Sequence, residues 1–238
     1  MKILALETSA GPASAAITEN GRVLASAYIH TKLTHSQTLM PMVEGLFKNA
    51  ALSLSDMDLM AVAAGPGSFT GVRIGVAAVK GLAFPKGVPC AAVSTLSAIA
   101  RNAAGTGFAG VVCGVMDARC GQAYTACFDS DGKTLSRRTP DEAISAEELK
   151  NRLISYKKPV FLLGDGAELC YNGFKAEVPD LILAPEALRY QQAVGVAAAA
   201  EEMAAKEMLV TAEALQPVYL RLPQAERELR ARTAQNRE

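Results

Sequence analysis

The segment Gly65-Pro66-Gly67-Ser68-Phe69-Thr70-Gly71-Val72-Arg73-Ile74-Gly75 sets the frame for everything around it. Residues 59–64 before it are continuously apolar, as a buried parallel strand is. After it Val72, Val76, Val79 and Ala83 recur at helical spacing, with Gly71, Gly75 and Ala78 beside them. The segment is therefore a strand end, a glycine turn and a helix start. Gly65 and Gly67 can take positive φ or admit another backbone, and Pro66 stiffens the turn. Either Ser68 or Thr70 is placed to cap the helix. Helix N-termini attract anions, so a phosphate cradle is one reading. The P-loop pattern needs Lys where Val72 stands, and the dinucleotide fingerprint needs glycine where Thr70 stands. The competing reading is a tight turn packed closely on a neighbouring segment.

Upstream, strands are expected over 2–8, 13–18 and 22–29, the last two joined by the hairpin signal Asn20-Gly21. Thr34-His35-Ser36 reads as a helix cap. Leu39, Met42, Val43, Leu46, Phe47 and Ala50 then form an amphipathic stripe, with Pro41 expected to kink its first turns. Downstream of the glycine turn come a strand over 88–93 and a helix from 94 to about 103. Three antiparallel strands followed by alternating helix and strand is a ribonuclease-H-like order. Ala104-Gly105-Thr106-Gly107 reads as a boundary, and the pattern then restarts. Strands are expected over 110–117, 122–128, 133–137 and 159–164, with helices over 145–156 and 191–206. Two halves of one topology make an α/β, actin-like ATPase (ASKHA) architecture of two ribonuclease-H-like lobes with mixed sheets. The lobes are expected at 1–104 and 105–222, with a helix at 190–206 able to pack back on the first lobe. Mixed charge and little apolar content make 223–238 a solvated tail.

The 238 residues are 50% hydrophobic, enough for one large domain or two small ones. Net charge is zero and no basic stripe crosses the globular part, so weak RNA binding by the isolated chain is expected; the tail arginines Arg227, Arg230, Arg232 and Arg237 are the one place a basic face could come from. The five cysteines Cys90, Cys113, Cys120, Cys127 and Cys170 include no CxxC pair and read as buried reduced thiols. Glu7 interrupts the N-terminal apolar run too early for a signal peptide, and no stretch is long enough to span a membrane, so a cytoplasmic protein is expected. His30 and His35, the only histidines, read as polar loop residues rather than metal ligands, and no histidine remains to activate a Ser or Cys nucleophile.

Ile3-Leu4-Ala5-Leu6-Glu7-Thr8-Ser9, His35-Ser36-Gln37 with Leu39 and Pro41, the glycine turn, Asp117-Ala118-Arg119 and Pro217-Val218-Tyr219-Leu220-Arg221 together resemble the TsaB family over nearly the whole chain. One departure is Gln122-Ala123-Tyr124, where that family commonly carries Glu-Val-Tyr. The resemblance implies a non-catalytic activating subunit that forms a heterodimer with its paralogue TsaD. The complex makes N6-threonylcarbamoyladenosine (t6A) at adenosine 37 of tRNA, and the ATPase subunit TsaE joins it. The isolated subunit can also self-pair as a homodimer. No cofactor of its own is implied; ATP and metal are handled by the partner subunits, and tRNA is met only through the complex. TsaD's metal-binding His-x-x-x-His helix would begin after the strand at 88–93, where this chain has Thr95 and Ile99, so no bound zinc or iron is expected.

The resemblance also implies pairing through the first two helices, making Leu39, Met42, Val43, Leu46, Gly71, Val72, Arg73, Gly75, Val76, Ala78 and Val79 the expected partner interface. Arg73 opposes the helix dipole, so a carboxylate is expected to offset it, unless it is simply solvated. Glu7 with Thr8 and Ser9, and Asp117 with Arg119, end equivalent strands of the two lobes. They read either as a nucleotide-site relic or as carboxylates holding Mg²⁺ across a cleft. An ATPase or kinase using Glu7 and Asp117 is therefore the alternative function, with a metalloprotease-like hydrolase behind it.

Overall fold

β1 (Lys2–Glu7) pairs antiparallel with β2 (Ala13–Glu19), from Lys2 opposite Glu19 to Glu7 opposite Ser14. Asn20 and Gly21, both at positive φ, turn the chain into β3 (Arg22–Ile29). α1 (His35–Ala50) is opened by Thr34, whose N–H donates to Gln37 Oε1 at 3.1 Å, and it continues through Pro41. β4 (Leu59–Gly65) enters parallel to β1, α2 (Phe69–Ala83) crosses over, and β5 (Cys90–Ser94) runs parallel to β4. The first sheet has the order β3-β2-β1-β4-β5. This computed structural model describes residues 1–221; the expected solvated tail, with Arg227, Arg230, Arg232 and Arg237, lies outside them.

α3 (Thr95–Ala100) leads to the second sheet. There β6 (Ala109–Asp117), β7 (Gln122–Asp131) and β8 (Leu135–Arg137) are successively antiparallel, and β9 (Glu142–Ser145) pairs with the opposite end of β7. α4 (Ala146–Ser155) precedes β10 (Val160–Leu163), which is parallel to β6. α5 (Ala167–Phe174) precedes β11 (Leu181–Leu183), parallel to β10. The path β8-β7-β6-β10-β11 repeats the order of the first sheet. α6 (Glu186–Arg189) and α7 (Ala193–Ala205) follow. The architecture is actin-like: two ribonuclease-H-like lobes, each with a mixed sheet.

Each sheet is covered on both faces, and the covering crosses between lobes. α1 and α2 bury Leu39, Met42, Val43, Leu46, Val72, Val76 and Val79 against Leu4, Leu6, Met60 and Val62. The opposite face of that sheet, Ile3, Ala5, Ala61 and Ala63, is covered by α7 from the end of the chain. α4 and α5 cover one face of the second sheet, and α3 covers the other with Leu96 and Ile99. α3 and α7 pack on each other at the centre. Gly195 has no side chain there, and the space a Cβ would fill is taken by the Ala98 carbonyl. That close approach is the kind small residues permit.

Candidate functional site

The glycine turn is filled by the chain itself. Gly65 has φ of 126°, and a Cβ at that position would collide with the Val218 carbonyl. A Cβ on Gly67 would sit 2.5 Å from the Ser9 carbonyl oxygen, and one on Gly71 would strike the Thr8 carbonyl. One on Gly75 would meet Thr8 Oγ1 at 2.5 Å and Val62 Cγ2 at 3.0 Å. Thr8 Oγ1 in turn donates to the Gly71 carbonyl at 2.8 Å. These glycines exist to let β1's exit and the C-terminal segment close in, so the tight-turn reading holds over the phosphate cradle. Ser68, not Thr70, caps α2, its Oγ accepting from Gly71 N–H at 3.3 Å.

The C-terminal segment crosses this turn. Val218 N–H donates to the Ala64 carbonyl at 2.7 Å. Tyr219 stacks on Phe69 with ring centroids 4.3 Å apart, and the Arg73 guanidinium lies 3.9 Å from the Phe69 centroid. Arg73 Nε–H donates to Tyr219 Oη at 2.9 Å. The carboxylate expected opposite Arg73 is therefore replaced by two aromatic faces and a phenol, which favour a cation through the ring quadrupole. Two residues on, Arg221 donates to the Ala118 carbonyl of the second lobe at 2.5 Å. The segment thus straps the first lobe to the β6–β7 hairpin.

Between lobes and strap lies a cleft of about 640 Å³, whose polar lining includes Ser9, Thr70, Asp117, Arg119, Asp165 and Arg221. Glu7 and Asp117 do not face each other across it. Asp117 is exposed and caps its own hairpin, accepting from Arg119 N–H at 2.7 Å. Arg119, Cys120 and Gly121 continue that hairpin, all at positive φ. Glu7 is sealed beneath the cleft at 0% exposure. Its Oε1 accepts from Ser9 N–H at 2.6 Å, and its Oε2 has no partner among the described residues. Burial pushes the Glu7 carboxyl up to about 7, opposed by hydrogen bonding from Ser9 and assisted by the nearby Asp165. Asp165 is itself raised, mainly by desolvation, although Gln191 Nε2 donates to it at 2.6 Å. Gln191 Oε1 and Ser9 Oγ are buried without partners among the described residues. The acidic pair is thus Glu7, fully buried, with Asp165, which stands exposed in the cleft wall, and neither Asp165 nor Gln191 carries a sequence signature. The one available hint was Gly164-Asp165-Gly166, which follows β10 as the glycine turn follows β4.

The histidines tie down the turn after β1. His35 Nε2–H donates to the Ala10 carbonyl at 2.8 Å, and His30 packs edge-on to Tyr190, 5.2 Å between centroids. Four cysteines are buried as expected; Cys120 departs from that expectation, exposed in the β6–β7 turn.

The family model for TsaD, tRNA N6-adenosine threonylcarbamoyltransferase, matches residues 23–229. The Bacillus subtilis tRNA threonylcarbamoyladenosine biosynthesis protein TsaB is 35% identical over 169 residues, 71% of this chain and 73% of that protein. The Escherichia coli protein of the same name is 31% identical over 93% of this chain and 95% of its own length. The chain belongs to the TsaB family. A Pseudomonas aeruginosa crystal structure, described as an uncharacterized protein with similarity to the peptidase YEAZ, superposes with a TM-score of 0.78 at 31% identity. It covers 92% of this chain and 99% of that one.

Within that TsaB frame, the residues expected to meet a partner need correcting. Leu39, Met42, Val43, Leu46, Gly71, Val72, Gly75, Val76 and Val79 are buried in their own lobe, because the apolar stripe of each helix covers its own sheet. Ala78 is half-buried, and Arg73 is exposed but engaged by Phe69 and Tyr219. The outer surface of the two helices presents Met40, 44% exposed, Ala77 and the half-buried Phe47, Ile74 and Leu82 instead, beside the charged Glu44 and Lys48, with Phe84, 63% exposed, just past the end of α2. A groove of about 490 Å³ runs between Met40, Phe47, Leu54 and Leu82. Thr95 and Ile99 are both fully buried on α3. No described helix is long and apolar enough to cross a membrane.

Proposed function

We propose that this chain is the non-catalytic activating subunit of the assembly that forms t6A at adenosine 37 of tRNA, acting by dimerising with TsaD. What carries the reading is the outer surface of α1 and α2. Once their own stripes are buried, the helices still flank a groove lined largely by apolar side chains, Met40, Phe47, Leu54 and Leu82, with Glu44 at its wall. A paralogue of the same fold offers the matching pair of helices, giving a four-helix contact. In this reading a TsaE-type ATPase and tRNA join the assembled complex in the cytoplasm, and ATP and metal are handled by the partner subunits. Co-expression with TsaD tests it: the two should elute together, and Met40→Asp should separate them while this chain stays folded. Co-elution unaffected by charge at Met40 and Leu82 would overturn the proposed surface.

The second reading, phosphoryl transfer in the inter-lobe cleft, draws on Asp117 and Asp165 in its lining. Against it, Glu7 is closed off from the cleft and the glycine turn is occupied by Thr8, Ser9 and Val218. Tight Mg²⁺-dependent ATP binding by the isolated chain would favour it. A metalloprotease-like activity would need ligands that Thr95 and Ile99 do not supply.

A further inference from the structure

Cys113 on β6 and Cys127 on β7 stand directly opposite one another, and their Sγ atoms are 3.5 Å apart. The backbone of Cys127 shows which kind of pair this is. Its carbonyl accepts from Arg138 and Thr139 N–H, and its own N–H donates to Thr139 Oγ1 at 2.9 Å. In an antiparallel ladder a residue's N–H and C=O point to the same side, so both groups of Cys127 face away from β6. Cys113 and Cys127 are therefore a non-hydrogen-bonded pair, the close kind, with Cα atoms about 4.5 Å apart. That separation lies inside the range a disulfide spans, and bond formation asks the sulfurs to approach by about 1.5 Å.

We propose that Cys113 and Cys127 form a redox-active dithiol that closes to a cross-strand disulfide on exposure to a hydroperoxide. The surroundings favour Cys127 as the attacking sulfur. The Tyr156 hydroxyl beside it is buried without a conventional partner among the described residues, and the Cys127 thiol is held below the usual range mainly by hydrogen bonding with Cys113, with Tyr156 and the Arg152 charge assisting against burial and Glu142. The Cys113 thiol is pushed up by that same bond and by burial. In the first step the Cys127 thiolate attacks one peroxide oxygen and the O–O bond breaks. Hydroxide leaves, takes up a proton as water, and Cys127 becomes a sulfenic acid. In the second step the Cys113 sulfur attacks the sulfenic sulfur, and the S–O bond breaks. The departing hydroxide leaves as a second water with the Cys113 proton. One hydrogen peroxide oxidises two thiols to one disulfide.

Both thiols are buried, so the oxidant arrives through local opening. Beside Cys127 the sheet is closed by β8, an edge strand of three residues, and by the irregular residues 138 and 139. The cross-link would sit four residue pairs from the turn that carries Asp117 and Arg119, and so would pin the hairpin that receives Arg221.

The test uses the whole chain with Cys120→Ser, which removes the exposed thiol from the readout. The native, reduced protein is treated with excess hydrogen peroxide and quenched by alkylation in denaturant. A mass loss of two hydrogens, a peptide cross-linked between Cys113 and Cys127, recovery with dithiothreitol and a melting temperature raised by several degrees are expected. Cys113→Ser should abolish the cross-link and leave Cys127 as sulfenic or higher acid. Recovery of both cysteines as alkylatable thiols, under peroxide that fully oxidises Cys120 in the parent chain, would overturn the proposal. So would a disulfide that forms only after unfolding.

Discussion

Replacing Glu7 by Gln should stabilise the protein, by an amount that depends on pH. Glu7 is fully buried, with one oxygen bonded to Ser9 N–H and the other without a partner among the described residues. Glutamine keeps an acceptor for Ser9 and cannot ionise. The carboxyl titrates near 7 in the folded chain against 4.5 ordinarily, a rise of about 2.5 pH units. A folded-state value above the unfolded one means that the native state binds the proton more tightly. Wild-type stability from this group is therefore complete below pH 4.5, falls as pH climbs to 7, and stays reduced above it. At ~1.36 kcal/mol per unit the loss is about 3 kcal/mol, with no discount for solvent because the group has none. Urea unfolding of both proteins at pH 5, 6, 7 and 8 measures it. Glu7→Gln should gain little near pH 5 and about 3 kcal/mol at pH 8. A difference that is flat across this range, or a wild type that is more stable at pH 8, would refute the assignment of a buried, unpaired carboxyl.

Gly75→Leu should destabilise the isolated chain by roughly 1–3 kcal/mol or more, read as a lowered melting temperature, because its side chain would enter space held by Thr8 Oγ1 and Val62. An unchanged or higher melting temperature would mean that this face of α2 is not packed on the sheet. Arg73→Ala should loosen the strap, costing about 0.5–2 kcal/mol; limited carboxypeptidase digestion should then run past Tyr219 faster than in wild type. Met40→Asp sits on an exposed site and should shift stability by less than about 0.5 kcal/mol, measured by urea unfolding, while abolishing association with TsaD in sedimentation velocity.

Much of the fold was legible because its strongest signals are local. The apolar run of β1, the Asn20-Gly21 turn and the glycine turn between β4 and α2 each read from a dozen residues or fewer. β9, α5, β11 and α6 were not read, since none exceeds eight residues and their boundaries are set by what they pair with. β9 has a single buried residue, Ile144, and is a strand because the long β7 offers it a ladder. The site was less legible. Glu7, Asp165 and Gln191 meet only through the fold, and nothing in their spacing announces it. The interface expectation erred for a physical reason: an amphipathic stripe marks the face that leaves water first, and here that face covers its own sheet. The small residues of α2 likewise answer to Thr8 rather than to another helix, and the helix-on-helix approach they suggested occurs at Gly195. Arg73 was expected either to meet a carboxylate or to be solvated; the exposed guanidinium instead lies on Phe69, four positions before it, and bonds Tyr219, 146 positions away.

The most direct measurement is t6A in bulk tRNA from cells depleted of this protein and complemented with wild type or Met40→Asp at equal abundance. Depletion should lower t6A, wild type should restore it, and Met40→Asp should not. Full t6A in depleted cells would contradict a role in the modification, and full restoration by Met40→Asp would contradict activation through the outer surface of α1 and α2.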